Sequence, residues 1–296
     1  MIKLSPPIYT PEALSNYQRE IAAGRWKDGP CIVELEAKLA QLSGVTADQV
    51  VCTDTCTRAL ACAGTLLRGT TISTWAATFP SAYTWAHKVL FARFGYLPVD
   101  ISNDLWGIRR PTGLIVDGAH RFRPDEVPSR FAEGARAVCW SFGCQKELPG
   151  VWGGAIVLRE PQPDAREWLR VRKGLMANAD AAWLLGQLPA TLTWRAARQR
   201  VLGWYAEHLQ GTLTQLRTLP GQASGHLAVV LFPSVAKRAR AMRALERGGI
   251  ESSIHYPGKR EEGVCGTVLS LPCHPEMSEA DVERVVRTLG YFRHSS

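Results

Sequence analysis

A lysine, an aspartate and a group of hydroxyls occur in an order that suits them to act together. Lys146 lies in Trp140-Ser141-Phe142-Gly143-Cys144-Gln145-Lys146, ahead of Gly153-Gly154-Ala155-Ile156-Val157. Asp117 stands 29 positions upstream and closes the apolar run Gly113-Leu114-Ile115-Val116. A lysine amine that loses its proton can attack a carbonyl carbon and form an imine. A carboxylate at a strand end can ion-pair with a protonated ring nitrogen. Hydroxyls such as those of Ser141 and Thr57, with backbone N–H groups at a helix N-terminus, can hold a phosphate. Singly, each residue is commonplace, a surface lysine or a strand-end turn aspartate. The ordered set is what argues for a site.

Those three demands are made together by pyridoxal 5'-phosphate (PLP). The expected role of Lys146 is a Schiff base to the cofactor and, once displaced, general acid–base work at the amino-bearing carbon of the substrate. Asp117 is expected to keep the ring protonated and electron-poor. Deprotonation at that carbon gives transamination and loss of CO₂ gives decarboxylation. The choice depends on which bond is held perpendicular to the ring.

The elements that would position these residues follow from periodicity and punctuation. Pro11 to Ala23 reads as an amphipathic helix, Gly29-Pro30 as a break, and Ile32 to Leu42 as a second helix. Val50-Val51-Cys52 reads as a strand, and Thr53 to Thr57 as a turn capping a helix from Arg58 to Leu67. Strands are expected at Thr71-Ile72-Ser73, Tyr96 to Asp100, Leu114 to Asp117, Ala137 to Trp140 and Ala155 to Leu158, with a helix at Pro80 to Phe91. Pro161-Gln162-Pro163 marks a break, followed by helices at Glu167 to Lys173 and Ala179 to Leu188 and a long helix from Ala196 to Leu213. The remainder reads as βαβ-like: a strand at His226 to Phe232, a helix at Ser234 to Gly248, a strand at Ser252 to Tyr256, and a closing helix from Ser278 to Gly290. Strands alternating with helices imply an α/β fold with a mostly parallel central sheet and helices on both faces. The expected division is a large domain over residues 1–195, with an N-terminal helical arm, and a small C-terminal α/β domain with its connecting helix over 196–296.

Composition sets the limits. The 296 residues suffice for a sizeable core, and no run is long and apolar enough to span a bilayer. The start, Met-Ile-Lys-Leu-Ser-Pro-Pro, does not read as a secretory signal. The eight cysteines follow no metal-ligand spacing, so they are read as reduced thiols of a cytoplasmic protein without a metal. The net charge of +8 is carried mainly by arginine, clustered at Arg109-Arg110, Arg121-Arg123, Arg170-Arg172-Lys173, Arg195-Arg198-Arg200 and Lys237-Arg238-Arg240. Such clusters are ordinarily solvated helix faces; an anionic substrate is the sharper alternative.

With these residues in place, the chain resembles the DegT/StrS-type aminotransferases, PLP enzymes of the aspartate-aminotransferase-like fold type I known mostly for aminating nucleotide-linked keto sugars. Gly29-Pro30 with Leu35-Glu36 resembles the family's entry motif, and Thr55-Cys56-Thr57-Arg58-Ala59-Leu60 its phosphate turn. Trp75 matches the aromatic residue that stacks on the cofactor ring. Asp117-Gly118-Ala119-His120 resembles the segment whose acid faces the ring nitrogen, with Ala119 under the ring and His120 near its phenolic oxygen. Ser141 and Lys146 match the phosphate serine and the Schiff-base lysine. Ala181-Ala182, Gln187-Leu188, Tyr205, Leu209, His255-Tyr256-Pro257 and Leu271-Pro272 continue the series. The resemblance implies cofactor contacts from Thr55, Cys56, Thr57, Trp75, Asp117, Ala119, His120, Ser141 and Lys146, and a homodimer whose sites are completed by the partner.

The departures are as informative. Cys56 stands where the family has glycine, which requires a backbone that avoids positive φ. The segment between Asp100 and Asp117 is short, where the family carries a pocket-lining strand-helix unit. The stretch from Leu158 to Ala181 is trimmed, and its Asn-x-Arg has no clear equivalent; Arg172 or Lys173 falls nearest by position. Cys144 is read as a packing residue, His120 also fits a satisfied strand-end histidine, and His255-Tyr256 fits a strand end. Two functional readings follow. One is a transaminase acting on a small-molecule amine or amino acid and a nucleotide-linked acceptor. The other is a PLP-dependent decarboxylase or transaminase acting on an amino-acid-like group of a modified DNA base, which would leave the stack to reach the cofactor.

Overall fold

A computed structural model describes residues 1–67, 101–103 (backbone only), 114–212, 214–254 and 267–290. Trp75, Arg109-Arg110, the elements expected between Thr71 and Asp100, and His255-Tyr256-Pro257 lie outside the described residues. The chain forms two compact units, a larger one over Pro7–Leu105 and Arg110–Thr191 and a smaller one that includes Met1–Pro6 and Leu192–Ser296.

The larger unit is built on a sheet of strands β1 (Val50–Thr53), β2 (Ile101–Asn103), β3 (Ile115–Asp117), β4 (Ala137–Ser141) and β5 (Gly154–Leu158), in the order β1-β5-β4-β3-β2. β2, β3 and β4 pair in parallel, and β5 runs antiparallel to both β4 and β1. Four of the five described strands therefore point the same way, in keeping with the expected mostly parallel sheet. β5 reverses because it returns from β4 without a crossover helix between them.

Alternation along the strands sends their side chains to two cores. Val51, Ile115, Ala137, Cys139, Ile156 and Leu158 pack with Ala59, Leu60, Cys62 and Ala63 of α3 (Cys56–Leu66) and with Ala165 and Leu169 of the helix Pro163–Val171. Val50, Cys52, Val116, Val138, Trp140, Ala155 and Val157 pack on the opposite face with Leu35 and Leu39 of α2 (Pro30–Ser43) and Ala181, Ala182 and Leu184 of the helix Asn178–Gln187. Helices thus cover both faces. The first helix, α1 (Pro11–Ala22), is capped by the Thr10 hydroxyl, which accepts from Ala13 N at 3.0 Å. In chain order the next helices are α4 (Val127–Ala132), α5 (Pro163–Val171) and α6 (Asn178–Gln187).

Asn178 ties the helical arm to the sheet layer. It is fully buried; its Oδ1 accepts from Cys31 N at 2.9 Å, and its Nδ2 donates to Glu20 Oε2 and to Arg25 O, each at 2.9 Å. Glu20, itself buried, also accepts from Arg25 at 2.7 and 2.9 Å, which holds its carboxyl down at about 2. Asn178→Ala leaves a buried N–H and a buried carboxylate each short of a partner. The expected loss is about 3 kcal/mol of stability, read as a lower urea midpoint with an unchanged slope.

The smaller unit contains α7 (Thr191–His208), a three-stranded sheet β6-β7-β8 (Gln215–Leu216, Ala228–Leu231, Val268–Leu271), α8 (Val235–Arg247) and α9 (Glu279–Thr288). Its core joins Val201, Leu202 and Tyr205 of α7 to Val230, Leu245, Leu269, Val282 and Val285. Its described strand pairs are antiparallel, and β7 and the Ser253 segment both run antiparallel to β8, so the segments on either side of α8 point the same way, in keeping with the βαβ-like expectation. The expected strand from Ser252 is reduced, within the described residues, to one bridge between Ser253 and Ser270. Four helix starts are also corrected: α2 begins at Pro30, α3 at Cys56, α5 at Pro163 and α7 at Thr191. Pro163 opens a helix rather than marking a break, because a proline at the first helical position lacks only an N–H that has no intrahelical acceptor. Among the described residues no helix is long and apolar enough to cross a membrane.

Candidate functional site

Period-two alternation puts Ile115 and Asp117 on one side of β3, and Cys139 and Ser141 on the same side of β4, the side covered by α3. Both strands end there, so Asp117 and Ser141 emerge at the carboxyl edge of parallel strands, the usual binding edge of such sheets. α3 begins at that edge. Thr55 is its N-cap, with the side chain accepting from Arg58 N at 3.2 Å. The cap is therefore a single residue, and Cys56 and Thr57 lie in the first helical turn, where backbone N–H groups lack intrahelical acceptors.

The glycine pair ahead of Ala155 lets the helix approach. Thr55 bridges Gly153, and a Cβ on Gly154 would stand 2.5 Å from Cys56 N and 2.8 Å from both Thr55 C and Trp140 O. Among the described residues the only non-glycine with positive φ is Lys173, so Cys56 satisfies the condition set for a side chain in the phosphate turn. Lys173 is exposed, in the segment that follows α5. That segment runs beside the turn: Asp54 N donates to Gly174 O at 2.8 Å, and Arg58 Nη1 to Arg172 O at 2.9 Å.

Asp117 is 1 % exposed, and its Oδ1 accepts from Ala119 N at 3.1 Å, which turns the chain sharply after β3. Gly118 fits where a Cβ would lie 3.0 Å from the Trp140 ring and 3.2 Å from Cys139 O. Ala119 is half-buried and His120 buried. After β4, Phe142 N donates to Gly153 O at 2.9 Å and Lys146 N to Gly143 O at 2.9 Å, closing a turn that carries the lysine. Beneath it, the Phe122 ring meets Trp140 edge-on at 5.0 Å and Phe142 at 5.9 Å.

Charge is concentrated here. Burial lowers the Lys146 ammonium from its ordinary value, while Cys56, Asp117 and Glu147 pull the other way; these groups lie within electrostatic reach of the amine. Burial pushes the Cys56 thiol far up, reinforced by Asp117 and opposed by Lys146, so it is a neutral thiol at ordinary pH. Lys146, Asp117, Cys56 and the α3 N-terminus thus converge. Cys144 is exposed, which corrects its reading as a packing residue, and all seven described cysteines are free.

Two carboxylates escaped the sequence reading. Glu147 is buried and accepts from Phe122 N at 2.5 Å; its only signal was its place between Lys146 and Leu148-Pro149. Asp180, in the first turn of α6, is raised by burial from 3.8 to about 6. A folded value above the unfolded one means that its stabilising contribution is full below about pH 4 and lost as pH rises through about 6. Asp180→Asn is therefore expected to exceed the parent in stability by about 1–2 kcal/mol near pH 8 and to match it near pH 4, read from unfolding midpoints at both values.

The arginine clusters are not uniformly solvated. Arg121, Arg198 and Arg238 are 5, 3 and 5 % exposed. Arg121 meets Glu126 at 2.5 Å, and Arg172 lies 4.3 Å over the Trp168 ring.

Comparison with known proteins follows the same lines. Residues 170–290 match the DegT/DnrJ/EryC1/StrS aminotransferase family. A UDP-N-acetyl-3-dehydro-alpha-D-glucosamine 3-aminotransferase of Acidithiobacillus ferrooxidans is 30% identical over 187 residues, 53% of this chain and 50% of that protein. The chain thus spans about half the length of this curated relative. The aminotransferase TlmJ of Streptoalloteichus hindustanus has a TM-score of 0.76 at 19% identity over 98% of each chain. A Streptococcus pneumoniae protein solved in its PLP form has a TM-score of 0.77 at 17% identity over 97% of each chain. The chain therefore has the fold of type I aminotransferases, and its resemblance to the DegT/DnrJ/EryC1/StrS family, first read from motifs, holds in its matched C-terminal residues 170–290 and in its fold.

Proposed function

We propose that this chain is a PLP-dependent aminotransferase of DegT/StrS type whose machinery lies in a large domain over residues 1–195. The observation that carries the reading is the meeting of a part-buried lysine amine, a buried strand-end carboxylate and a helix N-terminus at one edge of one sheet. When bound, PLP supplies an aldehyde for a lysine amine and a protonated ring that draws electrons from the amino-bearing carbon.

The chain's own residues do the rest. Lys146, eased toward its neutral form by burial, is the nucleophile and afterwards moves the proton at the substrate's amino-bearing carbon. Asp117 holds the proton on the ring nitrogen. The first N–H groups of α3, with Thr55, Thr57 and Ser141, hold the phosphate. Cys56 borders the site as a neutral thiol. Ala119 and His120 follow Asp117 on its turn, and Trp75 is assigned to the ring face by motif alone.

The acceptor in this reading is a nucleotide-linked keto sugar, supported by the name of the Acidithiobacillus relative. The protein acts in the cytoplasm as a homodimer. The net charge of +8 favours one second reading, an amino-acid-like group on modified DNA. Mass spectrometry decides between them. Incubated with PLP, mixed amino acids and UDP- or TDP-linked keto sugars, the protein is expected to release a keto acid and an aminated sugar. Release of CO₂ without keto acid, or turnover of modified DNA alone, would overturn the first reading.

A further inference from the structure

Exposed arginines on other helices have partners within the chain. Arg170 meets Glu167 at 2.8 Å and Arg287 meets Glu283 at 3.8 Å. Arg284 of α9 donates to Gly248 O at 2.7 Å. The helix α8 differs. Its Lys237, Arg240, Arg243 and Arg247 are exposed, and among the described residues none of their side chains forms an ion pair or a hydrogen bond. The helix holds one acid, Glu246, which pairs with none of them. Arg238 belongs to the opposite, buried face with Ala241 and Leu245.

At 3.6 residues per turn, Arg240, Arg243 and Arg247 fall within roughly 60° of arc, with Lys237 on their flank, and the four span about 15 Å along the axis. Like charges three and four residues apart destabilise a helix. Lys237 also stands near the N-terminus, where the helix dipole disfavours a cation; only Arg247, in the last turn, suits the dipole. The stripe therefore opposes the folding of the helix that carries it. Its complement is a surface of regular, closely spaced negative charge.

Duplex DNA is such a surface, with one charge per about 1.7 Å of axis, and the guanidinium fork matches a phosphate in shape. A membrane-surface helix would turn large apolar side chains toward lipid, whereas α8 buries Leu245 in the unit's core and leaves only Val235 well exposed. Single-stranded nucleic acid is held by stacking on aromatic rings, and α8 has none. We propose that the exposed face of α8 docks the phosphate backbone of duplex DNA through Lys237, Arg240, Arg243 and Arg247, without reading base sequence. The surface lies wholly in the smaller unit, and its test does not depend on turnover.

Fluorescence anisotropy of a labelled mixed-sequence duplex, titrated with the full-length protein over a range of salt, tests this. The parent should bind, with log K falling against log salt at a slope of about −3.6, the value for four phosphate contacts. The triple variant Arg240→Gln/Arg243→Gln/Arg247→Gln should bind at least about tenfold more weakly at low salt, with a slope shallower by about 2.7. Its melting temperature should be no lower than the parent's, because it relieves like-charge repulsion. Should it fail to fold, Arg243→Gln alone should make the slope shallower by about 1. Arg136→Gln/Arg159→Gln/Arg217→Gln removes the same charge from other exposed positions and should bind as the parent does. No binding by the parent, an equal loss in both triple variants, or phosphatidylserine vesicles or oligo-dT bound as tightly as the duplex would each overturn the proposal.

Discussion

Lys146→Ala is expected to reduce turnover by at least about 10³-fold while leaving the circular dichroism spectrum unchanged. The size follows from losing the nucleophile together with the group that moves the proton at the substrate carbon. The fold should persist because the turn is closed by the Lys146 backbone N–H to Gly143 O, which alanine keeps. Lys146→Arg sharpens the test. It keeps a positive charge near Asp117 and Cys56 but offers no neutral amine. Both variants should be equally inactive; an active arginine variant would mean that Lys146 contributes only charge.

Gly154→Ala is expected to cost about 3 kcal/mol or more and to weaken retention of PLP. The new Cβ would stand 2.5 Å from Cys56 N and 2.8 Å from Thr55 C and Trp140 O, all backbone atoms with no rotamer to yield. Relief requires α3 to move away from β5, which carries the Thr55 cap and the first-turn N–H groups with it. Stability and cofactor affinity should therefore fall together, one by urea unfolding and the other by equilibrium titration. Gly143→Ala is the control. Its Cβ would meet only Lys146 Cγ at 3.8 Å, so its stability should stay within about 1 kcal/mol of the parent.

Much of this arrangement is legible in the residues themselves. Asp117 and Lys146 could be read because imine chemistry needs an amine and a facing acid, and Asp117 closes an apolar run while Lys146 lies in the loop between two others. The two-faced sheet could be read from alternating helix and strand patterns. The start of α3 could not, because Thr53, Asp54, Thr55 and Thr57 are all competent caps and only the close approach of Gly154 distinguishes Thr55. The reversed direction of β5 was hidden because a strand's pattern does not encode its direction. β8 (Val268–Leu271) passed unnoticed as four residues, three of them apolar, too short for periodicity to declare. Arg238 was hidden for a different reason: a charged residue in a basic helix looks solvated until its neighbours are known.

The most direct measurement is to load the protein with PLP, reduce it with borohydride, digest it and map the adduct by mass spectrometry. A single pyridoxyl group on the peptide that contains Lys146 is the predicted result. An unlabelled protein, or a label confined to another lysine, would contradict the account at its centre.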